Sequence, residues 1–422
     1  MARRKTRGRD RRMTNSELQA SKPEAPQRRA IPRTAPVRYE FADALRGIAV
    51  LGVLVVHTHQ NFSTTFGISV LGLGQYGVQL FYIVSAFTLA MSIRHRSHQE
   101  TSPLRNYAIR RFFRIAPLFY TAVLIYLLKP HILPSSSTPI DLSHARWPIQ
   151  IWHVVATVLF VNGWHYQSIN LVVPGGWSVA VETNFYILLP VILRFATSLR
   201  RTIALVMAAI VLNKVLSTSV YLFVVPHISR ADLTGFGVFV GMWLPAQLPV
   251  FMIGLAMYWV IQRYPIPPTG STPTRPPLIF FAGLALSILS ASCKMPTLVN
   301  RIVSYHVWIS CVLMFAALIL AHRPYDVFVN RFTVFLGKIS YGAYLLHFVV
   351  LHLLLWASRS WFEPRFGFHP NFFLAFPFLV VGTMALATLS YRYVETPGQD
   401  LGRKWIRKLE LRGKLAGTAN SV

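Results

Sequence analysis

The chain has 422 residues, of which 53% are hydrophobic and only 13% charged, against about 25% charged in a soluble domain. Its mean hydropathy of +0.44 points the same way, and 42 Lys and Arg against 14 Asp and Glu leave a formal net charge of +28. These figures disfavour a soluble enzyme, the two cysteines exclude a secreted disulfide scaffold, and an all-α integral membrane protein remains.

In chain order, residues 1–38 come first and hold 12 Lys/Arg and 3 acids. The stretch is rich in Arg, Pro and Ser and has no apolar period. It is expected to be a disordered basic cytosolic tail near anionic lipid, not a nucleic-acid arm. No small-residue cleavage site follows the first apolar run, which argues against a signal peptide.

Ten apolar runs are long enough to cross a bilayer: 41–60, 74–93, 112–128, 179–197, 203–225, 237–261, 277–293, 303–321, 334–357 and 371–391. An eleventh, 150–165, is short and carries His153 and Asn162; it is expected to be interfacial or re-entrant. With a cytosolic N-terminus, 33 of the 42 Lys/Arg then fall in cytosolic segments and 7 in external loops, as the positive-inside rule requires. Counting 150–165 as a span would turn the basic cluster at 194–201 outward. The sequence thus predicts about ten transmembrane helices in one bundle with both termini cytosolic. The transmembrane domain is expected over 39–400, between basic tails at 1–38 and 401–422.

Ionisable groups inside a bilayer are costly, so each is a functional candidate. In the first span, Arg46 and His57 are eleven residues apart and share one helical face, about 16 Å from each other along the axis. The third span opens on Arg110, Arg111 and Arg114; Arg110 and Arg114 stand at i, i+4, able to fork around one anionic group. In the fourth, Ser178, Glu182 and Tyr186 form a stripe at i, i+4 and i+8. The ninth carries Ser340, Tyr344 and His347 on one face. Glu395 follows the last span and precedes Pro397, which is expected to end the helix. Plainer readings stand beside these: a snorkelling Arg46, arginines that only anchor, and a structural ion pair of Glu182 with Arg46 or Lys214. No metal site is expected, because no His, Cys or acid spacing suits one. P-loop and nucleophile-elbow motifs are missing too.

Five blocks in order resemble the acyltransferase-3 family of membrane acyltransferases, over residues 39 to about 400. They are LRG with a His eleven after the Arg (Arg46, His57), YGVQLFYIVSAF, RRFFRIAP (Arg110, Arg114), WSVAVETNFYILLP (Trp177, Ser178, Glu182), and SYGAYLLH with RYVETP (Tyr344, His347, Glu395). One departure is Ser85-Ala86-Phe87, where the family usually has Ser-Gly-Phe; the added methyl could narrow a cavity.

The resemblance implies an acyl-CoA donor, most often acetyl-CoA, reached from the cytosol. The acceptor it implies is a hydroxyl of a surface or exported glycan or a lipid-linked sugar, of the exopolysaccharide or lipopolysaccharide kind, and the location a bacterial inner membrane. Under it, Arg110 and Arg114 are expected at the CoA phosphates and Arg46 at a channel mouth. His57 becomes catalytic, as base or acyl carrier, with Glu182 and Glu395 competing to support it. Trp177, Ser178, Tyr186, Ser340, Tyr344 and His347 are expected around the substrate. Counting from Ala42, His57 lies about 22 Å beyond the inner edge, so the thioester arm would need a protein-lined channel. The rivals are a transporter or flippase, for which no inverted repeat is visible, and a non-catalytic subunit of a glycan export complex.

Overall fold

A computed structural model describes residues 39–63, 69–97, 99–132, 149–266, 274–292 and 303–419. The tail expected over 1–38 lies outside the described residues. Those described form helices joined by short connections and include no strand. In hydrocarbon this is the economical solution, since a helix satisfies its backbone groups internally. Nine helices among the described residues are long and apolar enough to cross a membrane.

The first three are α1 (Glu40–Asn61), α2 (Gly77–Ser97) and α3 (Pro103–Ile132). The eleventh apolar run becomes α4, Ile149–Val158. Its 10 residues fall well short of the roughly 20 that a crossing needs. The chain then turns at Phe160 and re-enters the bundle as α5 (Gly176–Phe195), followed by α6 (Leu199–Phe223).

The sixth expected span is a broken helix. α7 (Leu233–Met242) stops at Trp243, and α8 (Leu244–Arg263) restarts with Pro245 in its first turn, where a missing N–H costs nothing. The seventh expected span is described as α9 over only 15 residues, Leu278–Ser292. Then come α10 (Tyr305–His322), α11 (Arg331–Ala357) and α12 (Phe372–Ser390). Asn330 and Thr333 cap α11 reciprocally, fixing where it begins.

The C-terminus departs from expectation. Pro397 does not end the helix: after α12 a π-type turn over Tyr391–Glu395 leads into α13, Thr396–Ala419. The wider turn absorbs the missing N–H at the start of a new helix. Residues 401–419 are thus helical. Glu410 caps the start of α3, accepting from Thr101 N at 3.1 Å and from Asn106 Nδ2 at 2.7 Å.

Two close crossings set the interior. α1 lies against α11 at two glycines: a Cβ on Gly47 would stand 2.1 Å from Thr333 O, and one on Gly337 1.8 Å from Asp43 O. α2 lies against α8, where Ala86 is fully buried and faces Gly254. The extra methyl at Ala86 therefore meets a helix neighbour and does not narrow the cavity described below. Outside this core, α6, α9 and α12 turn apolar residues outward, among them Leu222, Leu278 and Val381, as lipid-facing helices do.

Candidate active site

A cleft of about 720 Å³ of empty space, partly open to the outside, runs between α1, α2, α3, α5 and α11. Along α2 its wall extends from Thr88 to Val78, about 15 Å at helical rise.

Cations gather at the Thr88 end. Arg46 lines the cleft; its guanidinium donates to Asp43 Oδ1 at 3.1 Å and to Thr88 Oγ1 at 2.8 Å. Arg111 and Arg114 line the same wall, and the Arg111 guanidinium lies 5.8 Å from the centre of the Tyr186 ring. Arg111 Nε is buried with no hydrogen-bond partner among the described residues. Arg110, expected here, points elsewhere: it donates to both Glu100 oxygens, at 2.6 and 3.2 Å. Arg114 lies between the two in helical phase, about 40° from Arg110 and about 60° from Arg111, so the rotation of α3 against its neighbours decides which one faces the cleft, and it turns Arg111 inward. Nothing in the sequence singled out Asp43, Thr88 or Glu100.

Glu182 faces the cleft and ion-pairs with neither Arg46 nor Lys214. It accepts from Ser85 Oγ at 2.6 Å and from Tyr186 Oη at 2.5 Å, with those two hydroxyls 2.9 Å apart. At the far end Ser178 Oγ, Tyr344 Oη and Gly175 O form a triangle of 2.8, 3.0 and 3.1 Å. Gly175 has φ +75°, and a Cβ there would lie 3.2 Å from the Tyr344 hydroxyl, so glycine is needed. Ser340 also lines the cleft, bonded to Gly337 O at 2.9 Å. Trp177 does not; it is 7% exposed and packs in the core.

One helical turn beyond Tyr344, α11 presents His347. It is fully buried, and its Nδ1 donates to Tyr344 O at 2.6 Å. His57 stacks on it, ring centres 5.2 Å apart, and packs against Phe348 at 4.6 Å. His57 Nδ1 lies 3.0 Å from Gln60 Oε1. An amide oxygen only accepts, so Nδ1 carries the proton and Nε2 keeps its lone pair.

The expected carboxylate partner of His57 is not in contact with it. Glu182 is engaged with Ser85 and Tyr186, as above. Glu395, expected just beyond the membrane, is 1% exposed within the bundle. It sits in the π-type turn against Gly342, where a Cβ would approach Glu395 Oε1 to 3.0 Å. Its two oxygens are buried without a well-formed side-chain hydrogen bond among the described residues; the Gly342 backbone N–H and the Arg114 cation are its favourable neighbours. No cluster of three or more His, Cys, Asp or Glu among the described residues could hold a metal ion.

The family profile described as an acyltransferase domain matches residues 39–392. The chain belongs to the acyltransferase-3 family. Among its relatives is a Staphylococcus aureus protein provisionally named an O-acetyltransferase, 25% identical over 86% of this chain and 57% of the relative. The peptidoglycan O-acetyltransferase of Listeria monocytogenes is 24% identical over 84% of this chain and 55% of its own. A Caenorhabditis elegans protein named regulator of hypoxia-inducible factor 1 is 22% identical over 84% of this chain and 74% of its own. The chain thus spans little more than half the length of its bacterial relatives. No solved structure matches it.

Proposed function

We propose that this acyltransferase-3 protein is a membrane O-acetyltransferase of a bacterial inner membrane, taking acetyl from acetyl-CoA and passing it to a hydroxyl of a surface or exported glycan. One observation carries the reading: a single cleft has three guanidinium groups at one end, and at the other a tyrosine one turn from a stacked histidine pair. The family membership and the names of the bacterial relatives agree with it.

The donor fits the residues present. Arg46, Arg111 and Arg114 would hold its phosphates, since guanidinium groups bind phosphate oxygens as charge-assisted forks. Asp43 and Thr88 fix Arg46, and the Tyr186 ring supports Arg111. Acetyl-CoA, when bound, supplies the acetyl group as a thioester.

Beyond the Tyr344 end of the cleft, and outside its lining, His57 is the base. Gln60 holds its Nδ1 proton, so Nε2 is free to take the proton of the acceptor hydroxyl. His347 and Phe348 pin the imidazole plane by stacking. Ser178 and Tyr344 set the wall between the cations and the histidines. Glu182 keeps its two hydroxyl partners inside the cleft and leaves the cationic end unneutralised by direct contact.

The test is His57→Ala, assayed for acetyl transfer in membranes with expression checked. Loss of a general base should lower the rate about 10²–10⁴-fold. Wild-type activity at normal expression would overturn the assignment. A transporter or a non-catalytic subunit would bind no acetyl-CoA, which titration of the purified protein measures.

A further inference from the structure

Between α4 and α5 the chain folds into a compact polar turn that the cleft does not use. Its base is buried: Ser168 is 1% exposed and His153 4%. The Ser168 hydroxyl lies 2.7 Å from His153 Nδ1 and 3.3 Å from His165 Nδ1. Phe160 holds φ at 59°, a costly conformation for a bulky side chain. Asn184 Nδ2 clamps its carbonyl at 2.9 Å.

This braced turn presents Trp164, 46% exposed. Next come His165 and Tyr166, partly exposed and stacked at 5.3 Å, and the exposed Gln167. From Ile149 to Val181 there is no Asp, Glu, Lys or Arg. Burial, and at His153 the repulsion that a protonated His165 would exert, hold both imidazoles below their ordinary value, so they are neutral near pH 7. The turn joins the cleft wall: Gly175 N donates to Asn170 Oδ1 at 3.1 Å, and Gly175 O accepts from the Tyr344 hydroxyl.

We infer that residues 164–170 form a docking platform for a neutral, polyhydroxylated glycan segment, the acceptor of the reaction proposed above, on which this inference rests. Stacked aromatic faces suit the apolar faces of sugar rings, and neutral amides and imidazoles suit their hydroxyls. A segment with no formal charge of its own offers little to a phosphate or carboxylate. Continuity through Gly175 brings whatever docks there to the Tyr344 end of the cleft. Aromatics also serve as membrane-interface anchors, and the experiment separates the two roles.

Cells lacking the gene are complemented with wild type, Trp164→Ala, Trp164→Tyr, Gln167→Ala or Trp361→Ala. Trp361 is an equally exposed aromatic, at 50%, in the connection between α11 and α12. Three quantities are read: alkali-labile acetate in the cell envelope, acetyl-CoA affinity of the purified protein, and its melting temperature in detergent. Trp164→Ala and Gln167→Ala should lower envelope acetate roughly ten-fold, with donor affinity and melting unchanged. Trp164→Tyr should recover most of the acetate, and Trp361→Ala should match wild type. Unchanged acetate in Trp164→Ala and Gln167→Ala overturns the platform. So does acetate that falls together with melting, or equally in Trp361→Ala, since either marks an anchor. A wild type that binds no acetyl-CoA and adds no envelope acetate sinks the enzyme reading instead.

Discussion

At His57 the partner that decides the chemistry is an amide. Gln60 Oε1 stands 3.0 Å from Nδ1, which leaves Nε2 as the base without a carboxylate. Removing that acceptor in Gln60→Leu should cost about 1 kcal/mol of orientation, a drop of roughly five-fold in the acyl-transfer rate. Gln60→Glu should retain activity, because a carboxylate also accepts from Nδ1–H; equal loss in both variants would point to bulk and not to the hydrogen bond. The arginines divide in a similar way. Arg111→Gln should weaken acetyl-CoA binding about ten- to hundred-fold, the worth of a charge-assisted hydrogen bond. Arg110→Gln should leave it unchanged, since Arg110 is tied to Glu100; calorimetric titration of both variants settles the division. His57, Glu182, Tyr344 and the arginine run were legible in the sequence as polar residues where an apolar run should be unbroken. The choice between Arg110 and Arg111 was not, because it depends on helix phase against α1 and α2. Gln60 was invisible for a simpler reason: a polar residue at a helix end draws no attention.

At the scale of elements, the spans were legible because length and hydrophobicity suffice in a bilayer. The break at Trp243, the π-type turn ending at Glu395 and the docked α13 were not, because a proline marks a discontinuity without saying which way the chain continues. The crossing of α1 and α11 carries the site: α1 brings Arg46 and His57, and α11 brings Ser340, Tyr344 and His347. Its closeness rests on the glycines at 47 and 337, the small-residue solution to helix packing in lipid. Gly337→Ala puts a methyl 1.8 Å from Asp43 O, a backbone atom with no rotamer to change. The helices must part, at a cost of about 1–3 kcal/mol. Asp43, which holds Arg46, moves with that step. The variant should melt several degrees lower in detergent and lose acetyl-CoA affinity. Gly235→Ala, where a Cβ meets nothing within 4 Å, should do neither.

For the whole molecule, the net charge of +28 matters less than its distribution. α13 carries Arg403, Lys404, Arg407, Lys408 and Arg412 beside the start of α3, near the arginine end of the cleft. The turn at 164–170 lies at the Tyr344 end and has no formal charge. Near an anionic cytosolic leaflet each cation is worth about 1 kcal/mol, so these cations of α13 should hold that end inside and give the cleft its polarity, donor from the cytosol and acceptor from outside. Substituted cysteines can read the orientation, with Cys293 and Cys311 first replaced by serine. In intact cells an impermeant maleimide should label Gln167→Cys, and Lys408→Cys only after the membrane is opened. The reverse pattern would place the arginines outside, away from any cytosolic acyl-CoA, and would exclude the donor site at that end of the cleft. Labelling of both in intact cells would mean that the two ends do not lie on opposite faces, and the route from Arg114 past Tyr344 to His57 would not cross the membrane.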